Sequence, residues 1–379
     1  GGGGGGGRGR AAMQASGSDD ASSAGGGSSV VRSSDPSTPR TDRYGFYADS
    51  TRAGMRVSES LLRKRKAKEA ERQGKWVHML RHWDAFADTP KLKQRLRKGV
   101  PDAVRGQVWS RLAGVAELRA AREAAYASEH SVDLAGRGLY SHLCEMLQDR
   151  RDLPDEDVFG TIERDIDRTF PQHEMFRQDS VGQPALRRVL HSYSILDPEV
   201  GYCQGMGFIT GLFLIYVDEE TSFWLLVAAL QRESAPLRGL YLPGMAGAQQ
   251  CLAVSRTLLH EHLPRLHRHF EEQGLHPSMY ASQWFLTLFT VNYPFDLVVR
   301  VWDVFWAEGW KVVYRVALAL FKMHQRELLG MEFEETMNFF RNLPEQVDGT
   351  EVMDVAWTIK LRTRQVEDAV RLFESEGLA

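Results

Sequence analysis

Large apolar residues recur along this chain at the spacing of one face of an α-helix, and that periodicity constrains the fold more than any other feature. Leu186, Val189, Leu190 and Tyr193 fall at i, i+3, i+4 and i+7, and Asp197-Pro198 closes the segment. Val352, Val355, Ala356 and Ile359 make a second such face, and Val366, Ala369, Val370 and Phe373 a third. Near the front, Trp76, Val77, Leu80 and Trp83 mark where the chain enters a core. Phe223–Leu230 is apolar all round, as an interior helix is. Ser282–Trp306 is ambiguous: its β-branched runs suit strands, while Val298, Val301, Trp302 and Phe305 fit helical spacing equally well. With no repeat of roughly 20–50 residues, an all-α fold is the economical reading.

Around that helical body the composition shifts sharply. Residues 1–48 open with seven glycines and hold almost no large apolar side chains. Such a segment cannot bury enough surface to offset the entropy of ordering, so a disordered Gly/Ser-rich tail is expected there. Residues 49–93 read as a basic, amphipathic helical region, with six basic residues between Arg63 and Arg72. Arg63, Lys64, Arg65 and Lys66 suit peripheral contact with an anionic membrane or a nuclear-localisation patch; an ordinary solvated helix face has the same composition. Another basic run, Lys91–Lys98, leads to Gly99-Val-Pro101. A helix is expected to start there, with Pro101 at its first position, and to run through Arg105 and Trp109 to Leu112, where Gly114 stops it.

Charge and cysteine content exclude several classes of function. The 47 basic and 50 acidic residues leave a net charge of −3, unlike a general nucleic-acid binder. Cys144, Cys203 and Cys251 are far apart, with no disulfide framework or metal-ligand spacing, and imply a reducing, cytoplasmic compartment. The longest apolar stretch, Gly205–Val217, has 13 residues, short of the ~18 of a membrane span. The chain opens without a methionine and without a signal-peptide pattern, which leaves targeting by a preceding segment open. His260–Phe270 contains four histidines, but Pro264 breaks their register, so surface or helix-end roles are expected rather than a metal site.

Two short stretches carry plausible chemistry. Thr161–Pro171 reads as a short helix that stops at the proline, with Asp165 and Arg168 on one side. Thirty residues on, Gly201-Tyr-Cys-Gln-Gly-Met206 sets Gln204 in a tight turn. In phosphoryl transfer an arginine stabilises charge on the transferred group and a glutamine orients the attacking water. The plainer alternatives are a surface ion pair worth under about 1 kcal/mol and a turn glutamine bonded to backbone. The chain has no Gly-x-x-x-x-Gly-Lys-Ser/Thr loop, Gly-x-Gly-x-x-Gly junction, Gly-x-Ser-x-Gly or His-Glu-x-x-His. A nucleotide used here would be held by another protein.

Several stretches together resemble the TBC domain, the Rab GTPase-activating fold. Lys98-Gly-Val-Pro101 followed by Arg105-Gly-Gln-Val-Trp109-Ser-Arg-Leu112-Ala-Gly114 resembles its first signature. Ile162-Glu-Arg-Asp165-Ile-Asp-Arg168-Thr-Phe-Pro171 resembles the second and Pro198–Met206 the third. Gln283-Trp284-Phe285 and Arg300–Gly309 are similar as well, and the Trp-x6-Trp run of Lys75–Asp84 is similar to the EPI64-like branch. The resemblance covers about residues 94–340, with further helices of the fold to near 376. It implies an all-helical, V-shaped, two-lobed domain over 94–376, with a catalytic lobe over roughly 94–230 and a C-terminal lobe over roughly 231–376.

What the resemblance implies about function is equally specific. The domain would bind a GTP-loaded Rab-type GTPase, peripherally on endomembranes, and accelerate GTP hydrolysis by supplying two side chains in trans. It would bind no nucleic acid and need no cofactor of its own, because Mg²⁺ and GTP arrive with the partner. Arg168 matches the arginine finger and Gln204 the glutamine finger. Asp165 would hold Arg168 extended, Arg105 would brace the arginine or glutamine loop, and Trp109 would pack behind it. Tyr202 would anchor the turn, Gly205 would let the backbone approach the partner, and Pro171 would leave the last helical turn facing it. The rival function is a catalytically silent Rab-binding scaffold or effector.

Overall fold

The computed structural model describes residues 1, 41–47, 59–149, 156–232 and 236–375, and the chain from Thr41 onward forms one compact unit. Nearly all of the tail over 1–48 therefore lies outside the described residues, as do the side chains of Arg63, Lys64, Arg65 and Lys66. Among the described residues the architecture is all-helical. In order the helices are α1 Glu59–Arg81, α2 Trp83–Phe86, α3 Pro90–Lys98, α4 Asp102–Leu112, α5 Val115–His130, α6 Gly138–Asp149, α7 Glu156–Ile166, α8 Gly182–Leu196 and α9 Met206–Tyr216. Then follow α10 Glu219–Gln231, α11 Ala246–His262, α12 Pro264–Glu272, α13 Ser282–Leu286, α14 Phe295–Glu308, α15 Trp310–Leu328, α16 Phe333–Gln346, α17 Gly349–Thr358 and α18 Thr363–Ser375.

Local chemistry explains many of the boundaries. Thr89 caps α3 by accepting a hydrogen bond from the Leu92 amide at 3.3 Å, with Pro90 in the first turn. Asp218 caps α10 in the same way through the Thr221 amide at 2.9 Å. Pro101 sits one residue before α4 rather than at its first position, which leaves Asp102 to meet the positive helix end. Ser282–Trp306 resolves into helices, and most of α14 is buried, which hides any one-sided pattern.

The centre of the fold is an aromatic cluster between α4, α9 and α14. Phe213 on α9 meets Trp302 edge-on at 5.0 Å and Trp306 at 5.9 Å, and Trp109 on α4 closes on Phe213 at 6.0 Å. All four side chains are fully or nearly fully buried. The glycines of α9 allow close packing: Thr169 and Phe170 of the preceding arginine loop lie directly against Gly207 and Gly211. This packing fixes α9 as a rod with the glutamine turn at its N-terminal end. At about 1.5 Å per residue, its 11 residues span roughly 16 Å to Tyr216.

The front edge of the fold departs from expectation. Thr41–Tyr47, placed by composition in the tail, forms a small turn bridged from Thr41 to Tyr47 and from Phe46 to His173. It belongs to the same compact unit as the helices.

Candidate functional site

Helix α7 ends at Ile166, earlier than the proline suggested, so Arg168 sits in the turn after the helix rather than within its last turn. Past that end, Phe170 has a left-handed φ of +47° and Pro171 disfavours the α region for the residue before it, so the chain does not re-enter the helix. The Thr169 hydroxyl donates to the Asp165 carbonyl at 2.8 Å, satisfying one carbonyl of the terminated helix. The i, i+3 relation survives the turn: the Arg168 guanidinium pairs with the Asp165 carboxylate. The Asp165 side chain is 3% exposed and that of Arg168 47%, so a buried anchor carries an accessible cation.

The glutamine turn reaches the same anchor. Tyr202 donates its hydroxyl to the second oxygen of Asp165 at 2.6 Å, so one carboxylate ties both loops together. Burial and the adjacent Asp165 charge push the Tyr202 phenol well above its ordinary range, and the Cys203 thiol is raised for the same two reasons. The tyrosine therefore stays a proton donor. Two residues on, Gln204 is exposed, followed by Gly205 at φ +109° as the residue before α9. A Cβ at Gly205 would lie 2.9 Å from the Thr287 methyl, so glycine is needed there for both conformation and space.

The far end of the glutamine loop is pinned as well. Asp197, which ends α8, receives two guanidinium hydrogen bonds from Arg238 at 2.7 and 2.8 Å and the Tyr193 hydroxyl at 3.0 Å. Although burial works in the opposite direction, these donors hold the Asp197 carboxyl below its usual range. The Gly201 amide donates back to the Asp197 carbonyl at 2.8 Å. The loop from Asp197 to Gly205 is thus fastened at both ends, with Gln204 exposed near α9. The positive end of the α9 dipole lies beside it, an arrangement that favours negative charge.

The Rab-GTPase-TBC domain model matches residues 102–329. This chain belongs to that family. It is 34% identical over 298 residues to the ecotropic viral integration site 5 protein homolog of Homo sapiens, covering 77% of this chain and 34% of that protein. Carabin of Mus musculus is 32% identical over 351 residues, covering 89% of this chain and 72% of its own. The chain thus spans about a third of the length of the first of these relatives and over two thirds of the second. Among solved structures, a Chlamydomonas flagellar RabGAP TBC domain superposes with a TM-score of 0.62 at 30% identity, covering 83% of this chain and 98% of that one.

Within this TBC domain, Arg105 does not hydrogen-bond the Arg168 or Gln204 loop as expected. It is buried on α4, donates through Nε to Asp303 at 3.0 Å and through Nη1 to the Tyr216 hydroxyl at 3.0 Å, and also bonds Asp102 and the Val100 carbonyl. Tyr216 closes the opposite end of α9 from Gln204, so Arg105 acts roughly 16 Å away along that rod. Its charge persists against the cost of burial because Asp303, Tyr216 and Asp102 surround it. Trp109 packs in the aromatic cluster and donates its indole N–H to Asp303 at 2.9 Å. Asp303 also accepts the Val100 amide at 2.8 Å. This carboxylate, inside the downstream Arg300–Gly309 signature, is the organising residue that local sequence did not single out. Its partners Val100, Arg105 and Trp109 are about 200 positions away.

The four histidines do not gather into one cluster. His260 and His267 rings meet at 4.9 Å, and His269 reaches the Met331 carbonyl at 2.9 Å. Among the described residues no group of three or more His, Cys, Asp or Glu side chains is placed to hold a metal ion, and no helix is long and apolar enough to cross a membrane.

Proposed function

We propose that this chain binds a GTP-loaded Rab-type GTPase and accelerates its GTP hydrolysis, with Arg168 as the arginine finger and Gln204 as the glutamine finger. The observation that carries this reading is the shared Asp165 carboxylate, which holds the Arg168 guanidinium and, through Tyr202, the loop bearing Gln204. Two accessible side chains from separate loops are thereby prepared together. Membership of the family and likeness to a flagellar RabGAP domain support the partner class. GTP hydrolysis needs mainly positioning and charge stabilisation, which a planar guanidinium and a carboxamide supply. Mg²⁺ and GTP would come with the partner.

The test is phosphate release from a panel of GTP-loaded Rabs. Arg168→Ala should reduce stimulation by about 10³–10⁵, and Gln204→Ala should abolish most of it, both with the fold intact. Near-normal stimulation by Arg168→Ala across every responsive Rab would overturn the mechanism. Tight binding to GTP-loaded Rab without acceleration would favour the silent scaffold. Peripheral contact with endomembranes through Arg63, Lys64, Arg65 and Lys66 follows from their charge; deleting that run should reduce sedimentation with anionic liposomes.

A further inference from the structure

The turn formed by Thr41–Tyr47 is built with more local order than a linker requires. The Asp42 carboxylate accepts the Tyr44 and Phe46 amides at 2.8 and 3.0 Å, and the Asp42 amide donates to the Phe46 carbonyl at 2.7 Å. An aspartate closing its own turn in this way preorganises the segment. Gly45 sits at φ +96°, and a Cβ there would lie 2.7 Å from His173 Nε2. Only glycine satisfies both the conformation and the space.

Its contacts converge on the segment that follows Arg168. The Tyr47 amide donates to the Gln172 carbonyl at 2.9 Å, and the Glu174 amide to the Gly45 carbonyl at 3.0 Å. His173 Nε2 lies 2.7 Å from the Tyr44 carbonyl while its Nδ1 accepts the Met175 amide at 3.1 Å. Phe46 inserts its ring among Phe170, His173 and Phe295, with centroids 5.7, 4.8 and 5.0 Å away. Phe170 in turn meets Phe208 edge-on at 5.4 Å. Phe170 lies two residues after Arg168 and Phe208 four residues after Gln204. One aromatic side chain from ahead of the domain thus backs a ring that touches both finger-bearing elements.

We infer that Thr41–Tyr47 is a positioning clip for the finger loops, so that residues N-terminal to the matched TBC region form part of the apparatus that aims Arg168. Phe46 and Gly45 are its positioning residues. The inference rests on the GTPase-activating reading above, and deepens it by assigning a control on the arginine loop outside the three signatures. The clip acts on turnover rather than on recognition. Its bonds end on residues 172–174 and its ring packs on Phe170 rather than on Arg168 or Gln204, yet a displacement of about 1 Å at a reacting group costs up to about 100-fold in rate.

The experiment uses the full chain, comparing wild type with Phe46→Ala, Gly45→Ala and the conservative Phe46→Tyr. Single-turnover GTP hydrolysis is followed on the Rab most responsive to wild type, alongside amide hydrogen exchange. The two disruptive variants should lower kcat about 10-fold or more and leave KM within about twofold, while Phe46→Tyr restores most of the rate. Amides of residues 166–174, including Thr169 and His173, should exchange faster while the central α9 and α14 amides keep their protection. Unchanged kcat in variants whose Thr41–Tyr47 amides have lost protection would overturn the inference. So would a loss confined to KM, or unaltered exchange over 166–174. If wild type stimulates no Rab, the activity reading fails on its own, and the exchange data still decide whether the clip restrains the arginine loop.

Discussion

Replacing Tyr202 with phenylalanine removes one atom from the bond that joins the two loops. The lost contact is a 2.6 Å hydrogen bond from a phenol to a carboxylate whose side chain is 3% exposed. Hydrogen bonds to charged groups contribute about 1.5–3 kcal/mol, and the buried Asp165 oxygen loses a donor that water cannot readily replace. The predicted destabilisation is therefore about 1.5–3 kcal/mol, measured by denaturant unfolding. A cycle built from Tyr202→Phe, Asp165→Asn and the double variant should return a coupling of at least about 1 kcal/mol. For catalysis, the bond energy caps the loss of preorganisation at about 10- to 150-fold, well below the 10³–10⁵ expected for removing the finger itself. Additive single-variant effects, within about 0.5 kcal/mol, would refute the idea that Asp165 ties the loops together. A rate loss as large as that of Arg168→Ala would equally refute the ordering.

Gly205→Ala should cost about 1–3 kcal/mol from its left-handed backbone plus a clash with the Thr287 methyl; adding Thr287→Ser should recover the steric part only, which thermal unfolding can separate. Asp303→Asn breaks a buried cluster of Arg105, Trp109 and Val100, and should lower unfolding free energy by about 3–5 kcal/mol in urea titration. His173 has its pKa lowered by burial, despite the opposing pull of the Tyr44 carbonyl, Glu174 and Asp42. Because the unfolded state then binds the proton more readily, its contribution is present above the ordinary value of 6.5 and is lost as pH falls below it. Wild type should lose more stability than His173→Gln between pH 7.5 and about 5.5, as read by unfolding at each pH.

Much of this fold could be read from periodicity, because α8, α17 and α18 each bury one stripe and expose the other. Periodicity is silent where a helix is buried around most of its circumference, and α14 was ambiguous for that reason. The candidate site was legible as an ordered set of short motifs, and Asp165 with Arg168 needed only their spacing of three. The role of Arg105 was not legible, since Asp303 lies 198 residues further on and only the fold brings them together. The end of α7 differs from the proline-based reading because the helix stops at Ile166, four residues before the left-handed Phe170 and five before Pro171. The Thr41–Tyr47 turn was lost in the composition of its neighbours. Its signal was present in Tyr44, Phe46 and Tyr47, three aromatics clustered around Asp42 and Gly45 at the end of a segment poor in large apolar residues.

The double occupancy of Asp165 bears on what happens when the arginine does its work. If Arg168 is the finger proposed above, reaching a phosphate would require it to surrender at least part of its ion pair, and a buried carboxylate abandoned by its cation would pull it back. The Tyr202 hydroxyl sits on the other oxygen, so a carboxylate released by the guanidinium would still keep one donor. On the proposed mechanism, swapping partners would then cost less than baring a buried carboxylate, and the same carboxylate would be placed to take the side chain back once the product had gone.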